Sequence, residues 1–177
     1  VERLDALRHA QLRHMVKRAT TTVWRITRHK HADTAFSGIG AQKDGGRFNS
    51  AGTAVVYTSD SYALALFEAR VHVPTFRGMR DRVVIEAEVD NSLVAIIDEA
   101  DLPSDWQDRP PATSTQRLGD EWVASERSAV LRVPSVVVPG HANYILNPAH
   151  PDFGQIVIGA ARPVKLDPRL LKTPKTP

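Results

Sequence analysis

A chain of 177 residues, 42% of them hydrophobic and 24% charged, has the size and balance of one globular domain with a real core. It contains no cysteine, which excludes disulfides, thiolate metal sites and a cysteine nucleophile and is compatible with the cytoplasm. A formal charge of +3 with only 6% aromatics permits nucleic-acid binding without arguing for it, and no apolar run approaches the roughly 20 residues of a membrane helix.

Leu4, Leu7, Leu12, Met15 and Val16 mark one face of a helix predicted over residues 2–18. Its other face is basic, with Arg3, Arg8, Arg13, Lys17 and Arg18, which suits a wet packing helix or a docking surface for an acidic partner. With no long apolar run behind these charges, no signal peptide is expected. Residues 20–26, TTTVWRI, read as a strand in which Arg25 requires either solvent or an anionic partner. Residues 29–44 read as a polar loop beside a pocket. GIG at 38–40 is not a dinucleotide fingerprint, because the third glycine position is Lys43, and no phosphate-binding P-loop occurs anywhere.

The most informative stretch is residues 45–68, GGRFNSAGTAVVYTSDSYALALFE. Gly45 and Gly46 allow a tight turn and close backbone approach. Arg47 then offers a planar fork suited to phosphate or carboxylate. A strand over 53–58 carries Tyr57, and Ser59-Asp60-Ser61 can cap a helix over 61–71 with Leu64, Phe67 and Ala63 inward and Glu68 at the edge of that face. Arg47, Tyr57 and Glu68 are thereby candidates to share one pocket.

Beyond an arginine-rich connection, residues 84–89 alternate as a strand whose Glu86 and Glu88 form either a carboxylate pair or an outward polar face. Residues 93–97 continue the apolar pattern, 101–113 read as irregular, and 115–128 as a helix with Leu118 and Trp122 on one face. Pro134 interrupts β-rich residues 130–138, which favours an edge or a bulge. Residues 143–148 and 155–160 read as further strands, followed by a proline-punctuated tail. Short strands with few helices and no regular βαβ alternation give an α+β fold.

Metal chemistry is poorly supported: His29 and His31 lack a third ligand, and His141 and His150 flank a strand. No G-x-S-x-G elbow accompanies Ser135. What remains is an electrostatic site. Cleavage of a bond from ribose to a cationic nicotinamide already has a good leaving group. One carboxylate that stabilises the ribose cation, with an arginine on the pyrophosphate, is sufficient.

The pieces VWRI, GGRFNSAGTAVVYTS, ALALFE, LGDEW, LRVPSVVVP, NYILNP and HPDF, spread over residues 23–163, resemble the RES-domain toxins, named for an arginine, a glutamate and a serine. Phe48 stands where the family usually has tryptophan. The resemblance implies a single RES domain over 1–177, with a helix at 2–18, a core at 20–163 and a tail at 164–177. It implies an ADP-ribosyltransferase-like α+β fold, with a split mixed/antiparallel β core and flanking helices. It also implies NAD+ as the substrate, no metal, and Arg47, Glu68 and Ser135 as the catalytic set. Arg25, Arg47, Tyr57, Asn49 and Asn143 are then expected around the dinucleotide: the arginines on pyrophosphate or ribose, Tyr57 against nicotinamide, and Ser135 on the cofactor or Glu68. The alternative role for Asn49 and Asn143 is to support the loops.

The implied partner is a helix-turn-helix antitoxin of the Xre type that obstructs the pocket, so the toxin itself need not touch DNA. The acceptor of ADP-ribose stays open. Water or phosphate would deplete NAD+, whereas a protein side chain would make the chain a targeted ADP-ribosyltransferase. Glu86 and Glu88 resemble the dyad of arginine-directed transferases but lie outside the stretch that supplies Glu68. A non-catalytic DNA-binding regulator is the contrasting class, and the sequence carries no helix-turn-helix signature for it.

Overall fold

The computed structural model describes residues 19–73 and 75–171. The predicted helix over 2–18 and the last residues of the tail lie outside them. The threonine- and valine-rich run forms β1 (Thr20–Arg28), which pairs along its whole length with antiparallel β3 (Arg82–Asp90). β2 (Val56–Ser59), β4 (Val94–Ile96), β5 (Val130–Pro134), β6 (Ala142–Leu146) and the two-residue β7 (Val157–Ile158) complete the path β4-β5-β6-β2-β1-β3-β7, with β8 (Arg162–Pro163) also on β3. Only β4 and β5 run parallel, so the sheet is mixed.

Both faces are apolar, because inward residues alternate. On β6, Tyr144 and Leu146 join one core with Val23, Val56 and Ile85, while Ile145 joins the other with Phe48, Trp106, Trp122 and Leu131. Val23, Val56 and Leu146 are fully buried, each worth about 1.5–3 kcal/mol of transfer free energy.

Several boundaries differ from the sequence reading, for local reasons. Residues 29–44 are not all loop: α1 (Ile39–Asp44) follows Gly38, whose φ of 76° starts the helix where a side chain would meet the Val55 amide. In α2 (Tyr62–Arg70) the Ser61 hydroxyl accepts the Leu64 N–H at 3.2 Å, as a cap should. The buried side of α2 is Leu64 and Ala65; Phe67 is 52% exposed and Ala63 also faces out. α3 (Thr113–Ser125) stops early because Glu126 turns left-handed, letting the Ser128 hydroxyl accept the Trp122 indole N–H at 2.8 Å.

Strand β5 is interior rather than an edge, and Pro134 is tolerated because it lies past the end of β4. Residues 136–138 are a turn, not a strand. Most of the strand read at 155–160 is absent: a 3₁₀ turn (Pro151–Gln155), with the His150 side chain accepting the Asp152 N–H, leaves only β7. Among the described residues no helix is long and apolar enough to cross a membrane, and no cluster of three His, Asp or Glu is placed to hold a metal.

Candidate active site

Register decides where the site opens. Ser59 stands opposite Asn143 on β6 and opposite Trp24 on β1, so these three side chains leave the sheet on one face. The seam between β1 and β2 has Trp24 and Ser59 as its one registered pair. Next to that thin seam the Tyr57 carbonyl accepts a hydrogen bond from Arg25 Nη1 at 2.8 Å. A cleft of about 750 Å³ lies over this part of the sheet, between α2 and the loop that carries Arg47. That volume falls in the range of small-molecule sites.

Glu68 is one helical turn after buried Leu64 and leaves α2 on the cleft side. Its Oε1 accepts from the Ser135 hydroxyl at 2.9 Å and from Asn143 Nδ2 at 2.6 Å. Oε2 has no hydrogen bond among the described residues. The Ser135 oxygen itself accepts the N–H groups of Val137 and Val138, both at 3.1 Å, so its proton is committed to Glu68. The Asn143 amide is oriented in turn, because its Oδ1 accepts from the Ser59 hydroxyl at 2.9 Å. The carboxylate is thus gripped on one oxygen and open on the other.

The cations are arranged differently. Arg47 Nη1 donates to the Trp106 carbonyl and, at 3.1 Å, to that of Asp108. It forms no ion pair among the described residues. Burial and then neighbouring Arg109 lower its pKa, while Glu68, next in effect, opposes this across the cleft. Among the described residues Arg25 has no carboxylate partner, and its Nε is buried without any partner. Burial lowers its pKa to about 10, which leaves it cationic at neutral pH. Two arginines without a carboxylate partner among the described residues line the same cleft as one half-open carboxylate, which fits a ligand that carries phosphate and a developing positive charge.

Two expected ligand contacts are used otherwise. Asn49 is fully buried and lies outside the cleft; its Nδ2 donates to the carbonyls of Ala41, Ser50 and Thr53. It locks the loop and has no surface to offer a dinucleotide. Tyr57 presents its ring to the cleft, but its hydroxyl accepts the Phe48 N–H at 2.9 Å and donates to Asn49 Oδ1 at 2.8 Å. Burial raises its pKa, so this donor is permanent. Gly46 is required there, since a Cβ would come within 2.5 Å of that hydroxyl.

Sequence reasoning missed the face of α3 that holds the arginine loop. Gln116 Nε2 donates to the Gly46 carbonyl at 3.0 Å, Asp120 Oδ1 accepts the Ser50 N–H at 3.0 Å, and Gly119 between them abuts the Phe48 backbone. A glycine inside a helix, about 1 kcal/mol worse than alanine, was the available signal. Ser59 was missed as well. Ser59→Ala frees the Asn143 amide to turn its oxygen towards Glu68, and about a tenfold fall in turnover is expected, with Ser59→Thr restoring it; equal rates for wild type and Ser59→Ala would remove Ser59 from the site.

The profile of the RES domain matches residues 22–167. The chain belongs to the RES-domain family. Its relatives include the "Prs ADP-ribosylating toxin" of Sphingobium sp. (strain YBL2), 38% identical over 159 residues, covering 86% of this chain and 98% of that protein. They also include "Toxin Res" of Photorhabdus laumondii, 36% identical over 154 residues and covering 86% and 99%. Among solved structures, a chain from the M. tuberculosis MbcT–MbcA toxin–antitoxin complex superposes with a TM-score of 0.65 at 20% identity, over 84% of this chain and 86% of that one. That likeness shows the fold alone: an α+β arrangement of a mixed sheet with flanking helices.

Proposed function

We propose that this RES domain is the toxin of a toxin–antitoxin pair, and that it binds NAD+ and breaks the nicotinamide–ribose bond. The observation that carries this reading is Glu68, fixed through Oε1 by Ser135 and Asn143 with Oε2 left for the ligand, in a cleft with two arginines that lack counter-ions among the described residues. Arg25 and Arg47 take the diphosphate, the Tyr57 ring packs the nicotinamide, and Oε2 faces the ribose carbon as positive charge develops there. A carboxylate that is already oriented stabilises that charge without reorganising. Nicotinamide leaves with the electron pair of the broken C–N bond, so no metal is needed.

Water or phosphate is the acceptor we favour, giving NAD+ depletion in the cytoplasm. Glu86 and Glu88 are outside the cleft, with Glu86 engaged by Arg162 at 2.9 Å, so they supply no base for a protein acceptor. A second reading, ADP-ribosyl transfer to a protein such as Prs, is favoured by the name of the Sphingobium relative. The partner in either case is a helix-turn-helix antitoxin that covers the cleft. Exposed Ile39, Phe67 and Val71 lie next to or on its lining and give such a partner an apolar rim. DNA binding by the toxin itself is not favoured, since α1, α2 and α3 are separated by strands.

Mass spectrometry of NAD+ and nicotinamide with antitoxin-free protein tests the reading, with and without phosphate and with lysate as acceptor. Turnover far above the protein acceptors, giving free ADP-ribose or its 1″-phosphate, supports depletion. Release matched by a mass increase on one lysate protein supports transfer, and no NAD+ loss under any condition overturns both. Arg47→Ala is expected to weaken NAD+ binding at least tenfold, as loss of a charge-assisted contact should; an unchanged titration would remove its phosphate role.

A further inference from the structure

Arg82 lines the cleft and is employed by none of these roles. Arg82 is the first residue of β3 and pairs in register with Arg28 of β1. Strand alternation places it on the same sheet face as Val84 and Glu86, whose partners are Ile26 and Trp24. Arg82, Ile26 and Trp24 all line the cleft. Arg28 is three residues after Arg25, so Arg82 stands roughly 10 Å farther along the strands than Arg25. His72, on the turn after α2, lines the same cleft.

The Arg82 guanidinium makes no hydrogen bond or ion pair among the described residues, and its Nε is buried without a partner. A buried donor left unmade costs about 1–3 kcal/mol. Burial, and then the charge of Arg28, lower its pKa, and Asp81 offsets this only in part. Exposed Arg28 beside it has no buried orphan atom. A guanidinium with a dehydrated Nε, next to a second one and lining a cleft, has no anion among the described residues.

We propose that Arg82 forms a second anion subsite of the cleft, one that takes a phosphate oxyanion apart from the group held by Arg25 and Arg47. The subsite rests on the NAD+ reading only for the source of that phosphate. One source is the dinucleotide itself, through its own phosphates. The other is free phosphate, whose oxygen would bond to the ribose carbon as nicotinamide leaves with the C–N electron pair.

Titration of inorganic phosphate into the purified protein, followed by calorimetry, tests the subsite without any substrate. Saturable binding is expected, weakened at least tenfold in Arg82→Gln and changed less than twofold in Arg28→Gln. Arg82→Met, which keeps the buried stem, replaces Arg82→Gln if the latter does not fold. Repeating the titration with saturating ADP-ribose separates the sources: phosphate excluded by ADP-ribose assigns Arg82 to the dinucleotide, and phosphate bound beside it assigns Arg82 to the acceptor. Absence of phosphate binding in the wild type, or equal binding in the Arg82 variants, overturns the subsite, and NAD+ binding that persists there leaves the cleavage reading intact. Phosphate bound through Arg82 with no NAD+ or ADP-ribose binding does the reverse.

Discussion

Glu68→Gln keeps its fold and loses on the order of 10²–10³-fold in NAD+ turnover, the size of effect seen when one oriented electrostatic stabiliser is removed. The side chains are nearly isosteric, and the surroundings dictate how the amide sits. Ser135 and Asn143 both donate to Oε1, so the amide oxygen takes that position. The NH₂ group is then forced into the place of Oε2. What faces the ribose changes from a carboxylate oxygen to a donor with partial positive charge, so the variant opposes the developing cation instead of merely failing to help it. Binding changes less than rate, because the arginines still hold the diphosphate. Nicotinamide release under single-turnover conditions, beside a thermal melt, separates these effects. Undiminished release from a normally folded variant would sink the assignment of Glu68.

Strand positions with strong alternation were legible: the β1, β3 and β6 segments and the capped helix before Glu68 were all readable from residue type and period. Arg47, Tyr57 and Glu68 were readable as candidates for one pocket from residue type and turn chemistry, whereas a site role for Ser135 and Asn143 was readable only through the family resemblance. Ser135 and Asn143 reach Glu68 across 67 and 75 residues of chain, and no local pattern encodes such a meeting. Asn49 shows the opposite limit. A polar residue in a glycine-rich turn beside an arginine suggests ligand contact, yet three carbonyls and a tyrosine hydroxyl use its whole amide inside the loop. Phe67 was assigned inward because helical spacing alone does not say which side of a nine-residue helix meets the sheet. Leu64 and Ala65 meet it, and that same rotation turns Glu68 towards the cleft.

Gly119→Ala is the substitution expected to do most harm without touching a ligand. In an ordinary helix interior this change stabilises by about 1 kcal/mol. Here the new Cβ would be 1.8 Å from the Phe48 carbonyl oxygen, 2.6 Å from its carbon and 3.0 Å from its Cα. Contacts of carbon to carbonyl oxygen normally begin near about 3.3 Å, so helix and loop must separate by more than an ångström. The obstacle is backbone, which cannot rotate away as a side chain can. Overpacking of this kind costs about 1–3 kcal/mol or more, and the two flanking bonds, Gln116 to Gly46 and Asp120 to Ser50, stretch with it. At this chain length each kcal/mol moves the melting point by about 2–4 °C. The functional loss is larger than the melt suggests, because the displaced loop carries Arg47, and misplacement by an ångström can cost about a hundredfold in rate. Gly154→Ala, with nothing within 4 Å of its Cβ, provides the matched control and should leave both melt and turnover unchanged. A Gly119→Ala protein that melts no lower than wild type and binds NAD+ as tightly would show that α3 does not clamp the arginine loop.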